Sequence, residues 1–320
     1  MPRDAHDASR TFDLLVVGEI NPDVVVTDPD PRPVFGQAER IVDGLRLAIG
    51  SSSVITACGA ARLGLRVAMV GAVGDDALGR YMLDAMAERG LNVGGVRTVA
   101  GRPTGASVIL SDGRDRAILT ALGTIGDVTE SDVPDRLLSA AHHLHIGSWF
   151  LQAGLRPGAQ TLLARARAAG LTTSLDPNWD PSGGWDAGFG AILPSVDLLF
   201  PNDAEVRRLT GIDDVDAAAI ALAARGPLVA VKCGMDGALV ASGEGVIARV
   251  PAYPVDAVDT TGAGDTFDAA FLTAWLGGAS PEAALRAGAV AGALSTQAIG
   301  GVDGQPTTEA LDAALRGWAA

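Results

Sequence analysis

The chain has 320 residues, enough for one large or two ordinary domains with a sizeable core. A hydrophobic content of 48% and a mean hydropathy of +0.26 describe a packed globule rather than a disordered chain. A net charge of −14, a pI near 4.6 and no Lys/Arg cluster exclude sequence-independent nucleic-acid binding, which needs a basic face.

The two cysteines, Cys58 and Cys233, lie far apart among small or apolar neighbours, so buried free thiols are expected and no disulfide framework. Met1–Arg10 is polar and lacks the apolar core of a signal peptide, and residues 1–11 are expected to be a flexible tail. No apolar run reaches ~18 residues without a charge or glycine, so no membrane span and a cytoplasmic location are expected.

In chain order, Phe12–Gly18 reads as a short buried strand and Asp28–Pro33 as a turn. Ser53–Leu63 is a small-residue helix, Val67–Val70 a strand, and Leu78–Arg89 an amphipathic helix with Met82, Leu83 and Met86 on one face. Gly105–Leu110 and Arg116–Leu122 alternate like a hairpin around Asp112-Gly113. Strands at Leu144–Ile146, Thr172–Leu175, Asp197–Phe200 and Leu228–Lys232 then alternate with helices at Ala159–Ala169, Ala204–Leu209 and Ala217–Ala224. A hairpin joins Gly237–Ala241 to Val246–Val250. Helices close the chain at Thr266–Leu276, Pro281–Thr296 and Thr308–Trp318. Repeated βα units predict an α/β fold, a mostly parallel central sheet with helices on both faces, over residues 12–320. Two strand-like blocks, about 19–48 and 98–122, break that rhythm. They are expected to form a small β-sheet lid over the strand ends where open α/β sheets bind ligands.

The chemistry concentrates in Asp259-Thr260-Thr261-Gly262-Ala263-Gly264-Asp265. The small residues Gly262, Ala263 and Gly264 allow a tight turn, and a turn opening a helix gathers N–H groups into an anion hole. Asp265 at its mouth suits a base that takes the proton of an attacking alcohol. A helix capped by Asp265 with packing glycines is the plainer alternative. Asn21 and Asp23, two apart on an extended segment, face one side and suit bidentate bonding to adjacent hydroxyls; an Asn-Pro-Asp turn is the alternative. Gly50-Ser51-Ser52-Ser53 opens a helix, and Gly147, Ser148 and Trp149 follow a strand end, as pocket-wall residues do. Asn202 and Glu205 have capping-box spacing, and Glu205 also offers the hard oxygen that Mg²⁺ prefers. Gly234 and Gly237 permit a loop close to a ligand. His142, His143 and His145 lack further ligands at motif spacing and are read as strand residues. A P-loop, a dinucleotide fingerprint after the first strand and a Gly-x-Ser-x-Gly elbow are all missing from the sequence.

The 259–265 segment resembles the C-terminal motif of the ribokinase-like (PfkB) carbohydrate kinases, and other segments match in order over about residues 12–310. Arg62-Leu63-Gly64 through Gly79 is similar to the family's first motif and is read as scaffold. The resemblance implies a ribokinase-like fold and ATP-dependent phosphorylation of a sugar hydroxyl, with Asp265 as base and Gly262, Ala263 and Gly264 as anion hole. Asn21, Asp23, Gly50, Ser51, Ser52 and Ser148 would meet the sugar. Asn202, Glu205, Lys232, Gly234, Gly237 and Gly264 would meet ATP. It further implies Mg²⁺ held through water by Glu205, K⁺ at Asp259 and Thr261, and a homodimer through the lid. Two departures stand out. Ile55 occupies the place of a sugar-contacting Asn, and Trp179-Asp180 follows Asp176-Pro177-Asn178 where a cation is often found. A nucleoside kinase with Trp149 or Trp179 stacking a base, and a non-catalytic sugar or nucleotide sensor, are the competing readings.

Overall fold

The computed structural model describes residues 10–112 and 116–318. The chain runs β1 (Phe12–Val17), β2 (Pro22–Thr27), β3 (Gly44–Ile49), α1 (Ser52–Arg62), β4 (Val67–Gly74), α2 (Ala77–Glu88), β5 (Asn92–Val99), β6 (Ala106–Ser111) and β7 (Arg116–Ala121). It continues α3 (Asp135–Ser139), β8 (Ala141–Ile146), α4 (Ala159–Ala168), β9 (Thr172–Leu175), α5 (Phe189–Ile192), β10 (Leu198–Leu199), α6 (Asp203–Thr210) and α7 (Val215–Ala223). It ends with β11 (Leu228–Lys232), β12 (Ala238–Ser242), β13 (Gly245–Val250), α8 (Ala263–Leu276), α9 (Pro281–Ser295) and α10 (Thr308–Gly317).

Nine strands form one sheet in the order β13-β12-β11-β10-β9-β8-β1-β4-β5, parallel except at β11-β12 and β12-β13. Its central strands are continuous apolar runs because both faces are covered. Leu15 and Val17 of β1 pack with residues of α3, α4 and α7, while Leu14 and Val16 pack with α1, α2, α8 and α9. The parallel register brings the carboxyl ends of β1, β8, β9 and β11 to one edge of the sheet.

The two expected insertions build the second sheet, of order β3-β2-β6-β7. Its β2-β6 pair is parallel and its two outer pairs are antiparallel. The boundary at 98 differs from the structure. Residues 98–99 end β5, which pairs with β4 in the large sheet; the glycine pair in Asn92–Val99 masks this strand in the sequence. The last part of the expected turn, Gly113, lies outside the described residues, as do residues 1–9 of the expected tail. Arg10 donates hydrogen bonds to the carbonyls of Ala141 and Ala169. Among the described residues no helix is long and apolar enough to cross a membrane.

Candidate active site

Helix α8 starts three residues earlier than its apolar run predicts. Gly262 caps it at φ 72°, a left-handed conformation, and a Cβ there would lie 2.7 Å from Gly301 Cα. Only glycine fits that close approach. Asp259 locks the preceding turn: its Oδ1 accepts from Thr261 N (2.9 Å) and Oγ1 (2.8 Å), and its Oδ2 accepts from Gly300 N (2.8 Å). Ala263, Gly264 and Asp265 thus form the first helical turn, whose N–H groups lack intrahelical partners and sit at the positive end of the dipole.

The half-buried Asp265 carboxyl has its pKa raised to about 6, first by burial and then by repulsion from Asp176. Its hydrogen bond from Ser52 and the charge of Lys232 act in the opposite direction. Lys232 lies beside Gly264 in the first turn of α8, with Nζ 2.8 Å from Asp176 Oδ2 and 3.1 Å from Asp268 Oδ1. Burial works against its charge, but Asp176, Asp268 and Glu205 outweigh that and raise its pKa. The same lysine overcomes burial at Asp176 and keeps that carboxyl low, whereas burial drives Asp268 well up. The positive charge of Lys232 is therefore directed inward, onto the Asp176 carboxylate and the Asp268 carboxyl beside it.

On the β1 side, Asn21 and Asp23 come together: Asn21 Nδ2 is 3.3 Å from Asp23 Oδ1, and both residues are buried. A Cβ on Gly50 would collide with the Asp23 carboxylate, so Gly50 is the residue that lets Asp23 sit there. Burial first, then the charge of Asp265, raises Asp23 to about 7. Arg116 of the small sheet crosses the cleft, donating to Thr260 Oγ1 at 2.8 Å and easing the charge on Asp23 and Asp259. Ser51 caps α1, accepting from Val54 N at 3.1 Å, and donates to the Glu19 carbonyl at 2.6 Å. Ser148 is fully buried and donates to Glu19 Oε1 at 2.8 Å, so it stands behind the pocket wall.

Across the sheet edge, Asn202 and Glu205 make the capping box. Asn202 Oδ1 accepts from Glu205 N at 2.8 Å, and Glu205 Oε2 accepts from Asn202 N at 2.9 Å. Glu205 is also raised to about 7, by burial and then by Asp176. Asp176, Asp265 and Glu205 are thus close enough to repel one another in a buried setting, with Lys232 as their counter-charge. Gly234 and Gly237 both have positive φ, and a Cβ on Gly237 would collide with the Val250 carbonyl.

Trp149 is 1% exposed and cannot stack a base; Trp179, at 53%, is exposed and packs at 88° against Trp185. His143 is spent on Thr172 and Ser174, and burial lowers His145 to about 4, so both serve β8. Among the described residues no group of three or more His, Cys, Asp or Glu could hold a metal ion by itself. Glu19, Asp268 and Arg116 were not singled out by sequence reasoning, and Asp176 only within the segment Asp176-Pro177-Asn178. Asp268 did leave a signal, as an acid inside the apolar run Phe267–Leu276, three residues from Asp265.

The pfkB family carbohydrate kinase model matches residues 12–308. The chain is 32% identical over 304 residues to an ATP-dependent ribose-1-phosphate kinase of Halopiger xanaduensis, covering 94% of this chain and 97% of that one. It is 34% identical over 325 residues to a ribokinase of Arabidopsis thaliana, covering 97% and 82%. The structure of Arabidopsis thaliana ribokinase complexed with ribose and ATP superposes with a TM-score of 0.80 at 26% identity, covering 95% of this chain and 99% of that one. With its nine-stranded sheet, its separate small sheet and its glycine-capped helix α8, this chain belongs to the pfkB family of carbohydrate kinases, phosphotransferases that act on an alcohol group.

Proposed function

We propose that the chain is an ATP-dependent sugar kinase in which Asp265 is the general base and the Gly262–Gly264 backbone is the anion hole. The observation that carries this reading is a carboxylate with a pKa of about 6 in the first turn of a helix, directly after a glycine turn. Asn21, Asp23, Gly50 and Ser52 would form the acceptor face, with Ser51 and Ser148 supporting it from behind. Asp265 takes the hydroxyl proton as the acceptor oxygen bonds to the γ-phosphorus of ATP. The bond from that phosphorus to the β,γ-bridging oxygen breaks, and ADP leaves with the electron pair. Charge developing on the transferred group meets the N–H groups of the first turn of α8. Asn202, Glu205, Gly234, Gly237 and the Gly264 backbone line the nucleotide side, and Lys232 acts there from below by holding Asp176 and Asp268. Mg²⁺, held through water by Glu205, would offset phosphate charge. Asp259 and Thr261, drawn to the Gly300 loop, would border a K⁺ site.

A coupled ADP-release assay over pentoses, hexoses, their 1-phosphates and nucleosides tests this reading. Turnover with a sugar that Asp265→Asn abolishes is the expected result. Turnover with nucleosides alone would move the assignment to a nucleoside kinase. Binding without turnover would make the chain a sensor.

A further inference from the structure

A buried network behind the acceptor face ends on the Asp265 carboxylate. Glu19, 2% exposed, accepts from four uncharged donors: Ser53 N (3.2 Å), Ser53 Oγ (2.5 Å), Ser148 Oγ (2.8 Å) and Gln152 Nε2 (3.2 Å). The glycines at the ends of β1 and β8 make room for it, because a Cβ on Gly18 or Gly147 would collide with the Ser53 hydroxyl. From Ser148 the network passes to Asn178. The Asn178 Nδ2 group donates to Ser148 Oγ at 2.8 Å and to Ser52 Oγ at 3.2 Å, and the Ser52 hydroxyl donates to Asp265. The amide is thus a hub between two serines, each of which donates to a carboxylate: Ser148 to Glu19 and Ser52 to Asp265.

The backbone carries a second mark of the same design. Ser51 (φ 70°), Ser148 (φ 50°) and Asn178 (φ 53°) are all left-handed, and none is glycine. Such conformations persist where the surroundings over-determine them. Here the surroundings are this network. Ser51 donates to the Glu19 carbonyl, Ser148 to the Glu19 carboxylate, and Asn178 N to Asp176 Oδ1 at 2.7 Å.

We propose that Glu19 is a positioning residue for phosphoryl transfer: through Ser148 and Asn178 it fixes the Ser52 hydroxyl on the Asp265 carboxylate. The role rests on the reading of Asp265 as the base. Glu19 touches no reacting atom; it sets the angle at which Asp265 meets the acceptor hydroxyl, and misplacement of such a group by a fraction of an ångström lowers kcat rather than binding.

Crystal structures of Glu19→Gln and Ser148→Ala test the geometry without any acceptor. The expected result is Asn178 turned away from Ser52 and the Ser52–Asp265 bond lost; an unchanged bond in both overturns the proposal. Kinetics test the consequence, with the acceptor that the wild type turns over fastest in the sugar panel. Glu19→Gln and Ser52→Ala should each lower kcat about tenfold with KM for ATP unchanged. The double variant should be no slower than Ser52→Ala alone, since both act along one path. Multiplicative losses, or a fall in Tm with kcat retained, would make Glu19 a structural residue only. Where Glu19→Gln does not fold, Ser148→Ala replaces it in the cycle. If the wild type phosphorylates nothing in the panel, the functional reading fails, while the crystallographic result still decides the network.

Discussion

Burial and the charge of Asp265 raise the pKa of Asp23, and burial and the charge of Asp176 raise that of Asp265. Burial is the larger cause at both, giving about 6 for Asp265 and about 7 for Asp23. The base acts only when ionised, so kcat/KM should fall as pH drops through this range. The acid limb should lie between about pH 6, set by Asp265, and about pH 7, set by Asp23. A limb centred near 4 would mean that neither carboxyl is desolvated in solution. Asp265→Asn should cost ~10²–10⁴-fold in kcat while ATP still binds. Asp23→Ala separates binding from chemistry: it removes a charged acceptor of hydroxyl hydrogen bonds and should raise the acceptor KM strongly with little change in KM for ATP. Lost ATP affinity with acceptor affinity retained would place the sugar elsewhere. The Ile55 side chain packs against Gly262 and Gly301 at the start of α8.

Helix α6 shows how one element serves two purposes. Its capping box is fully formed, yet the carboxyl that closes it is raised to about 7. An acid whose pKa is higher folded than unfolded binds more protons in the native state. Stability is therefore lost as pH rises from the ordinary value of 4.5 through about 7. Glu205→Gln keeps an oxygen for the Asn202 N–H and removes the charge. It should lose less Tm than the wild type between about pH 5 and pH 8, and its turnover should need more Mg²⁺. An unchanged Mg²⁺ titration would leave Glu205 as a cap alone, worth ~1 kcal/mol. The sequence disclosed this helix, the glycine turn and the Asn21–Asp23 pair because each depends on spacing along one segment. It did not disclose Glu19 or Asp268, or the pairing of Asp176 with Lys232, because these partners arrive from distant segments. β5 escaped notice because pairing with β4 overrides the low strand preference of its glycines. Trp149 read as an accessible ring because nothing local says that the turn after β8 folds inward.

The small sheet organises the whole molecule around two unlike faces. Strand register puts Asp23, Ser107 and Thr120 on one side and Val24, Leu47, Val108 and Leu119 on the other, with Val26, Leu45, Leu110 and Ala117 in the next row. The first side meets the cleft and sends Arg116 to Thr260 and Arg46 to Asp303, the latter at 3.0 Å. The second side is a continuous apolar surface, with Leu45 70% and Leu119 62% exposed. Contiguous apolar patches of this kind mark interaction sites on soluble proteins. A two-fold axis would let the patch cover itself, burying both copies while the polar sides stay on their own active sites. We therefore expect the protein to be a homodimer through this face in analytical ultracentrifugation. Leu47→Glu combined with Leu119→Glu should shift it to monomer, because the two carboxylates, buried in one row of the interface, would lack partners. The folded monomer should change little in stability, since both leucines are solvent-facing there. Its acceptor KM should rise, because β2 of the same sheet carries Asp23 and a lid no longer braced by its copy holds that carboxylate less firmly. A wild type that sediments as a monomer, or a double variant that remains dimeric, would show that this face is not the interface.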